Sequence, residues 1–220
     1  REDGSYLQVN AAKGVILAAG DYGADPDLRK EFMPHIEGLQ TAYCTDTNTG
    51  DGHKMGTWVG AAMQKAPHAG NIHYDPGMPP SSSASGSGCP WLWVNLNGER
   101  FCNEDMSYGQ IYAQGMNQPQ FIHFQVFDAN YKADVQAGKM GQGNQKNGPF
   151  PGFGMEFIDE YIENGEVLSA DTLEGLAEKM GVSADAFKAT VERYNELNDL
   201  GEDLDFGKQA ARLTYIKDAP

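Results

Sequence analysis

Two stretches of this chain admit no regular element, and whatever folds must fold around them. Between residues 66 and 90, Pro67, Pro76, Pro79 and Pro90 lack the backbone N–H that a helix or inner strand needs, and residues 81–88 are a Ser/Gly run without a core-forming side chain. Residues 78–90 therefore read as a mobile surface loop. Residues 137–154, rich in Gly, Asn, Gln and Pro, read as a second long loop. Loops of this length inside a compact domain are usually functional or disordered.

Between them lies the stretch that says most, residues 91–108. Trp91, Trp93 and Val94 are bulky strand formers, and Asn97-Gly98 sits where a type I′ turn needs two residues at positive φ, so a β-hairpin is predicted. After the turn come Arg100, Asn103, Glu104 and Tyr108, more polar groups than a half-buried strand requires. A rigid scaffold that delivers polar side chains to one place is how active sites are often built.

Upstream, Tyr6–Val9 and Val15–Ala18 are two apolar, strand-like runs separated by a turn. The second ends in the small residues Ala18, Ala19 and Gly20, followed by Asp21, Tyr22 and Gly23. Small residues at the carboxyl end of a strand let a backbone approach a ligand, and they serve equally as a tight turn before a helix. Asp25 followed by Pro26 is the signature of an N-cap and first helical position. The polar, glycine-rich lead-in of residues 45–56 predicts a loop opening a buried helix that runs on toward Met63. Free N–H groups at such a terminus suit a phosphate or a ring carbonyl, and a solvated turn cap is the alternative. The spacing is neither a Walker loop nor GxGxxG. His68 and His73 precede the first long loop, where histidines are more often structural than catalytic.

Downstream, residues 109–115 predict a short helix, and Phe121–Phe127 alternates like a strand. Asp128 is expected to cap a helix through Val135. The last third is helical by pattern: 156–163, ending at Asn164-Gly165; a helix capped near Thr172 and stopped by Gly181; and a long helix from Ser183 with Phe187, Val191, Tyr194 and Leu197 about a turn apart. These helices read as structural and carry no assigned chemistry.

Composition narrows the partners. Of the 220 residues, 40% are hydrophobic and 10% aromatic, which suits a globular chain. The formal charge of −15 argues against nucleic acid or an anionic membrane surface, since both need Lys and Arg to displace counterions. There is no apolar run long enough to span a bilayer. Cys44, Cys89 and Cys102 show no CxxC pairing and no zinc or iron–sulfur spacing, so no metal is expected. They read as three thiols, with one disulfide plus a free thiol as the alternative.

The ordered motifs resemble a known family. Val15-Ile-Leu-Ala-Ala-Gly-Asp-Tyr-Gly resembles the strand and turn "VILATGGFG" of the FAD-dependent fumarate reductase/succinate dehydrogenase flavoproteins, and Thr47-Asn-Thr-Gly-Asp-Gly resembles their "TNTGDG" helix start. Val94-Asn-Leu-Asn-Gly-Glu-Arg-Phe-Cys-Asn-Glu resembles "VNxxGxRFxNE". Ala170-Asp-Thr-Leu-Glu-Gly-Leu-Ala, Thr190-Val-Glu-Arg-Tyr-Asn and Asp203-Leu-Asp-Phe-Gly-Lys resemble marks of the family's cap domain. The family also includes urocanate reductases and 3-ketosteroid dehydrogenases. The resemblance implies an α+β cap domain, residues 76–213, with part of the adjoining α/β FAD-binding domain in residues 1–75 and the return to that domain beginning at 214–220. The chain is then a middle piece, expected by itself neither to hold FAD tightly nor to turn over. The remaining FAD-domain segments of the full-length protein would complete the site.

Carried over by position, Ala18, Ala19 and Gly20 would line the flavin, with Asp21 where the family usually has a second glycine, and Thr49, Gly50 and Asp51 would touch FAD. His73, or Ile72 in a second alignment, falls near the family's substrate-binding histidine, without the usual "HPT". Arg100 and Glu104 belong to the predicted catalytic set. Fumarate reductases carry a proton-donating Arg shortly after the "NE" pair; that position here is Tyr108. A phenol is the general acid in the related ketosteroid dehydrogenases, and its ordinary pKa near 10 keeps it protonated at neutral pH. It brings no charge to attract a dicarboxylate, so an enone, an aryl-acrylate or another activated alkene is expected in place of fumarate. Packing of Tyr108 at a domain seam is the bland alternative. The implied activity is hydride transfer at flavin N5 that reduces or forms a C=C bond; relatives are often exported and are fed by haem or quinol systems. A non-catalytic binding or interaction module derived from the cap is the competing reading.

Overall fold

The computed structural model describes residues 2–36, 46–68, 91–106, 108–136 and 156–219. The predicted loops at 78–90 and 137–154, and His73, lie outside the described residues. The chain divides into two compact units, Arg1–Gly70 and Asn71–Pro220.

In the first unit, α1 (Pro26–Phe32) starts as its residues dictate. Asp25 accepts from the Leu28 N–H at 2.8 Å, and Pro26 fills the first turn, where a missing N–H costs nothing. The second helix, α2 (Asp51–Trp58), begins after Gly50, which adopts a left-handed conformation with φ of 72°. A buried helix running on toward Met63 was expected here; instead α2 ends at Trp58, and Gly52 and Gly56 alone are buried in it. Trp58 and Val59 face outward. The two apolar runs at Tyr6–Val9 and Val15–Ala18 form no strand among the described residues, and Tyr6, Val9, Val15 and Ile16 are exposed. A strand needs a partner for its ladder, and these runs have none among the described residues.

The second unit is built on β1 (Leu92–Asn95), buried at all four positions. Its partner is β2 (His123–Val126), antiparallel, with Leu92 opposite Val126 and Asn95 opposite His123. The predicted hairpin is therefore corrected. The turn exists, but its return arm makes a single bridge, Val94 with Arg100. Its geometry also differs from type I′. Gly98 has φ of 81°, whereas Asn97 is not among the positive-φ residues; the Gly98 N–H donates to Asn95 O and the Asn95 N–H to Glu99 O. That is a three-residue loop closed by a left-handed glycine. Asn95 Oδ1 accepts from the N–H groups of Asn97 and Glu99, which stabilises this path.

Between the strands runs α3 (Tyr108–Gly115), and after β2 comes α4 (Tyr131–Gln136). The carboxylate of Asp128 accepts from the N–H groups of Asn130, Lys217 and Asp218, so this buried residue fastens the C-terminal segment as well as opening the approach to α4. The remaining helices are α5 (Glu156–Glu163), α6 (Leu173–Met180) and α7 (Ala184–Leu200). Thr172 and Ser183 cap α6 and α7, and Gly181 and Gly201 end them in the left-handed conformation, as their sequences predict.

One core unites these pieces. Leu92, Val94 and Val126 from the sheet pack with Ala177 and Met180 of α6, Phe187, Val191 and Tyr194 of α7, and Leu213 and Ile216. Each fully buried large side chain contributes roughly 1.5–3 kcal/mol over exposure. The opposite face of β1 carries Trp93, which packs on Cys102 with Phe101 and Met106 beside it. A strand covered on both faces leaves little freedom for the residues that follow it.

Candidate active site

In the first unit the two stretches predicted to meet a cofactor come together. A Cβ added to Gly52 would lie 3.1 Å from Ala19 Cβ, and one on Gly20 would lie 3.3 Å from Asn48 Oδ1. The end of the Val15–Gly20 run thus lies against the loop and first turn of α2 through small side chains. Ala18, Ala19, Gly20 and Asp51 are exposed, Thr49 is half-buried and Gly50 is buried. Gly50 caps α2 without a side-chain hydrogen bond, and no partner is recorded among the described residues for the N–H groups of Asp51, Gly52 and His53. An uncapped helix start beside exposed backbone suits an anionic or ring-carbonyl ligand. Asp21, the departure from the family pattern, turns its carboxylate onto its own loop, accepting from the Gly23 N–H at 2.9 Å. The residues present therefore fit a flavin nucleotide at this edge.

In the second unit Arg100 and Glu104 are brought together, but in a setting the sequence did not signal. Arg100 Nε and Nη2 donate to the two Glu104 oxygens, each at 2.9 Å, while Nη1 and Nη2 donate to Asp203 at 3.0 and 2.8 Å. The guanidinium also lies 5.0 Å from the ring centroids of both Tyr194 and Phe206. Lys208 Nζ sits 3.0 Å from Glu104 Oε2 and donates to the Tyr194 hydroxyl at 2.7 Å. The side chains of Glu104, Asp203 and Lys208 are fully buried, and that of Arg100 nearly so. Two cations and two anions thus neutralise one another out of water.

Burial alone would drive the Glu104 carboxyl upward, but the Lys208 and Arg100 charges outweigh it and hold its pKa below the usual range. Asp203 is likewise opposed by burial yet pulled down to about 2 by Arg100 and by backbone N–H donors. Lys208, which burial would neutralise, is kept charged by Glu104. On the other face of β1, burial raises the Cys102 thiol well above its ordinary value, so this free cysteine is a packing residue rather than a nucleophile. His123 stacks on Trp93 with ring centroids 4.4 Å apart, and burial pushes its pKa down to about 4.

The turn before Tyr108 is fixed residue by residue. Cys102 is buried under Trp93, Asn103 Oδ1 accepts from the Asp105 N–H at 2.9 Å, and Glu104 belongs to the charge network. Asp105 Oδ2 lies 3.9 Å from Arg212 Nε, and Met106 packs against the Trp93–Cys102 cluster. Tyr108 then opens α3; its side chain lies outside the described residues. Asp203 and Lys208 were not predicted as partners of Arg100. Their "DxDFGK" motif was the available signal, but nothing in spacing says which distant carboxylate meets which cation.

Among the described residues no helix is long and apolar enough to cross a membrane, and no three His, Cys, Asp or Glu side chains converge as a metal site. Small residues packed against an uncapped helix start form an edge that suits a nucleotide cofactor. The chain belongs to the FAD binding domain family, whose profile matches residues 1–219. It is 29% identical to the 3-oxosteroid 1-dehydrogenase of Mycolicibacterium smegmatis, over 93% of this chain and 36% of that protein. It is 28% identical to the vinyl phenol reductase of Lactiplantibacillus plantarum, over 97% of this chain and 46% of that protein. The 3-ketosteroid delta1-dehydrogenase of Sterolibacterium denitrificans, in complex with 1,4-androstadiene-3,17-dione, superposes with a TM-score of 0.72 at 24% identity, covering 99% of this chain and 42% of that one. A flavocytochrome c3 fumarate reductase in its open conformation gives a TM-score of 0.64 at 22% identity, covering 92% and 32%. The chain thus spans less than half the length of these relatives.

Proposed function

We propose that this chain is the cap and the adjoining FAD-domain edge of an FAD-dependent oxidoreductase that reduces, or forms, an activated C=C bond, with Tyr108 as the proton donor. The observation that carries this reading is the turn of residues 102–106, anchored by side chains from several directions and ending two positions before Tyr108. Positioning to within a fraction of an ångström is what a general acid requires.

FAD, when bound, supplies the hydride acceptor or donor. The chain's own residues do the rest. Ala18, Ala19, Gly20 and the start of α2 at Thr49, Gly50 and Asp51 give it a close-fitting backbone and free N–H groups. The Tyr108 hydroxyl gives its proton to the substrate carbon in the reductive direction, leaving a phenolate, and in the other direction the phenolate takes the proton back. Arg100 and Glu104, saturated by Asp203 and Lys208, hold this donor's approach rather than touch substrate. His73 is the candidate to contact a substrate oxygen. The names of the two relatives, a vinyl phenol reductase and a 3-oxosteroid dehydrogenase, support an alkene conjugated to an aryl ring or ketone. A haem, quinol or nicotinamide system would supply or remove the electrons, and the rest of the FAD domain completes the flavin site.

The test uses the full-length flavoprotein with a reduced-viologen donor and a panel of enones, vinyl phenols, acrylates and fumarate. Tyr108→Phe is expected to lower kcat by about 10²- to 10⁴-fold, the usual yield of a positioned acid, with flavin content unchanged. Full rate in that variant removes Tyr108 from the chemistry. A flavin-loaded wild type that turns over no alkene in either direction removes the reaction class.

A further inference from the structure

One of the groups that hold Glu104, ahead of α3, comes from the far end of the unit. Arg100 and Lys208, 108 positions apart, both meet Glu104, four positions before Tyr108, and Asp203 holds Arg100 from its other side. Glu104 Oε1 also accepts from the Trp93 N–H of β1 at 3.3 Å. A second tie holds the other end of α3. Asn95 Nδ2 donates to Gln118 Oε1 at 3.0 Å, and Gln118 Nε2 donates back to Gln114 O at 3.0 Å, within the last turn of the helix.

Such a network is a poor device for stability alone. Burying four charges costs desolvation that apolar residues of equal volume avoid, and replacements of that kind are often neutral or stabilising. What a charge network provides and an apolar cluster does not is direction. Arg100 engages two carboxylates with a planar fork, and Lys208 must meet both a carboxylate and a hydroxyl, so few arrangements satisfy all the groups. The segment leading into α3 and the residue just beyond it are thereby both tied to β1.

We propose that Lys208 is a positioning residue for α3: through Glu104 it sets where that helix begins and so where Tyr108 stands. The functional half of this inference rests on Tyr108 being the proton donor; the structural half does not.

The experiment compares the full-length flavoprotein with its Lys208→Met variant by amide hydrogen exchange and steady-state kinetics. Exchange is expected to accelerate at least about 10-fold across residues 105–115 and far less in α7, the behaviour of a local release rather than global loosening. kcat should fall at least about 10-fold with KM and flavin content little altered, the signature of an interaction made in the transition state alone. Combined with Tyr108→Phe, the loss in kcat should be far from additive, since both changes act on one group. Unchanged exchange in α3, or equal acceleration in α3 and α7, overturns the proposal, as does full additivity when Tyr108→Phe is itself impaired. If Tyr108→Phe alone keeps full rate, the donor reading fails, and the exchange data decide by themselves whether Lys208 holds α3. Should Lys208→Met not fold, Gln118→Met cuts the second, half-buried tie; the same local acceleration is expected, and its absence overturns the clamp.

Discussion

Arg100 and Asp203 meet fork to fork, the two guanidinium nitrogens Nη1 and Nη2 donating to the two carboxylate oxygens at 3.0 and 2.8 Å, although 103 residues separate them in the chain. The same guanidinium grips Glu104 with Nε and Nη2. An ammonium cannot reproduce that double fork. Arg100→Met, which removes the cation shared by two buried carboxylates, is expected to cost about 3–5 kcal/mol in urea-induced unfolding, the range for breaking a buried pair. Arg100→Lys should recover only part of this. A loss below about 1 kcal/mol would mean that the pair is replaced by water at little cost.

Acid should dissolve this network in a defined window. Asp203 titrates near 2 in the folded protein against an ordinary value of 3.8, so the unfolded chain binds the proton first. Its contribution is complete above pH 4 and is lost as pH falls toward 2, amounting to roughly 2 kcal/mol by linkage. Glu104, also lowered, acts in the same direction. Unfolding free energy measured from pH 6 down to 2 should decline steeply in that range, and Asp203→Asn should flatten the decline.

His123 adds a second, separate slope. Burial lowers its pKa to about 4, below the ordinary 6.5, so the unfolded state takes up the proton as pH drops from 6.5 toward 4. Stability due to this group is full above 6.5 and lost across that interval, on the order of 3 kcal/mol. The imidazole resonances of His123 should stay in the neutral form until about pH 4. A midpoint near 6.5 would show that its stacking on Trp93 does not exclude water.

Gly98 is where the turn touches α7. A Cβ there would meet Phe187 N at 3.0 Å, Ala186 Cβ at 3.2 Å and Ser183 O at 3.3 Å, on a backbone with φ of 81°. The Gly98 carbonyl also accepts from Thr190 Oγ1 at 2.6 Å. Gly98→Ala is expected to destabilise by about 2 kcal/mol or more, combining left-handed strain with overpacking. Thermal unfolding of the variant against wild type checks it.

Gly50 is more restricted still. With φ of 72°, an added Cβ would fall 2.4 Å from Leu28 Cδ1 and 2.9 Å from Tyr22 Cβ. Gly50→Ala should displace the start of α2 from Tyr22 and weaken flavin retention in the full-length protein, read as the flavin-to-protein absorbance ratio. Retention equal to wild type would separate α2 from the cofactor edge.

Helix boundaries in the last third were legible because their signals are local. Thr172, Ser183, Gly181 and Gly201 act on their own turn, and Phe187, Val191, Tyr194 and Leu197 mark one buried face by spacing alone. The hairpin was half legible. Asn97-Gly98 announced a turn, but the partner of β1 is β2, because Phe124 and Val126 complete the core over α6 and α7 while the chain after Arg100 turns away to bury Glu104. The two N-terminal runs look like strands by composition, yet strand formation depends on a neighbouring edge, which no local pattern encodes.

A few adjacent side chains were enough to specify the family and the helices of the last third with their caps and stops. The partners of Arg100 and Glu104, in contrast, come from the tertiary fold. A guanidinium and a carboxylate four residues apart read alike whether they face a substrate or a buried countercharge. The difference lies with Asp203 and Lys208, brought in by a chain path about a hundred residues long, whose meeting depends on the shared core of the sheet, α6 and α7 rather than on any local signal.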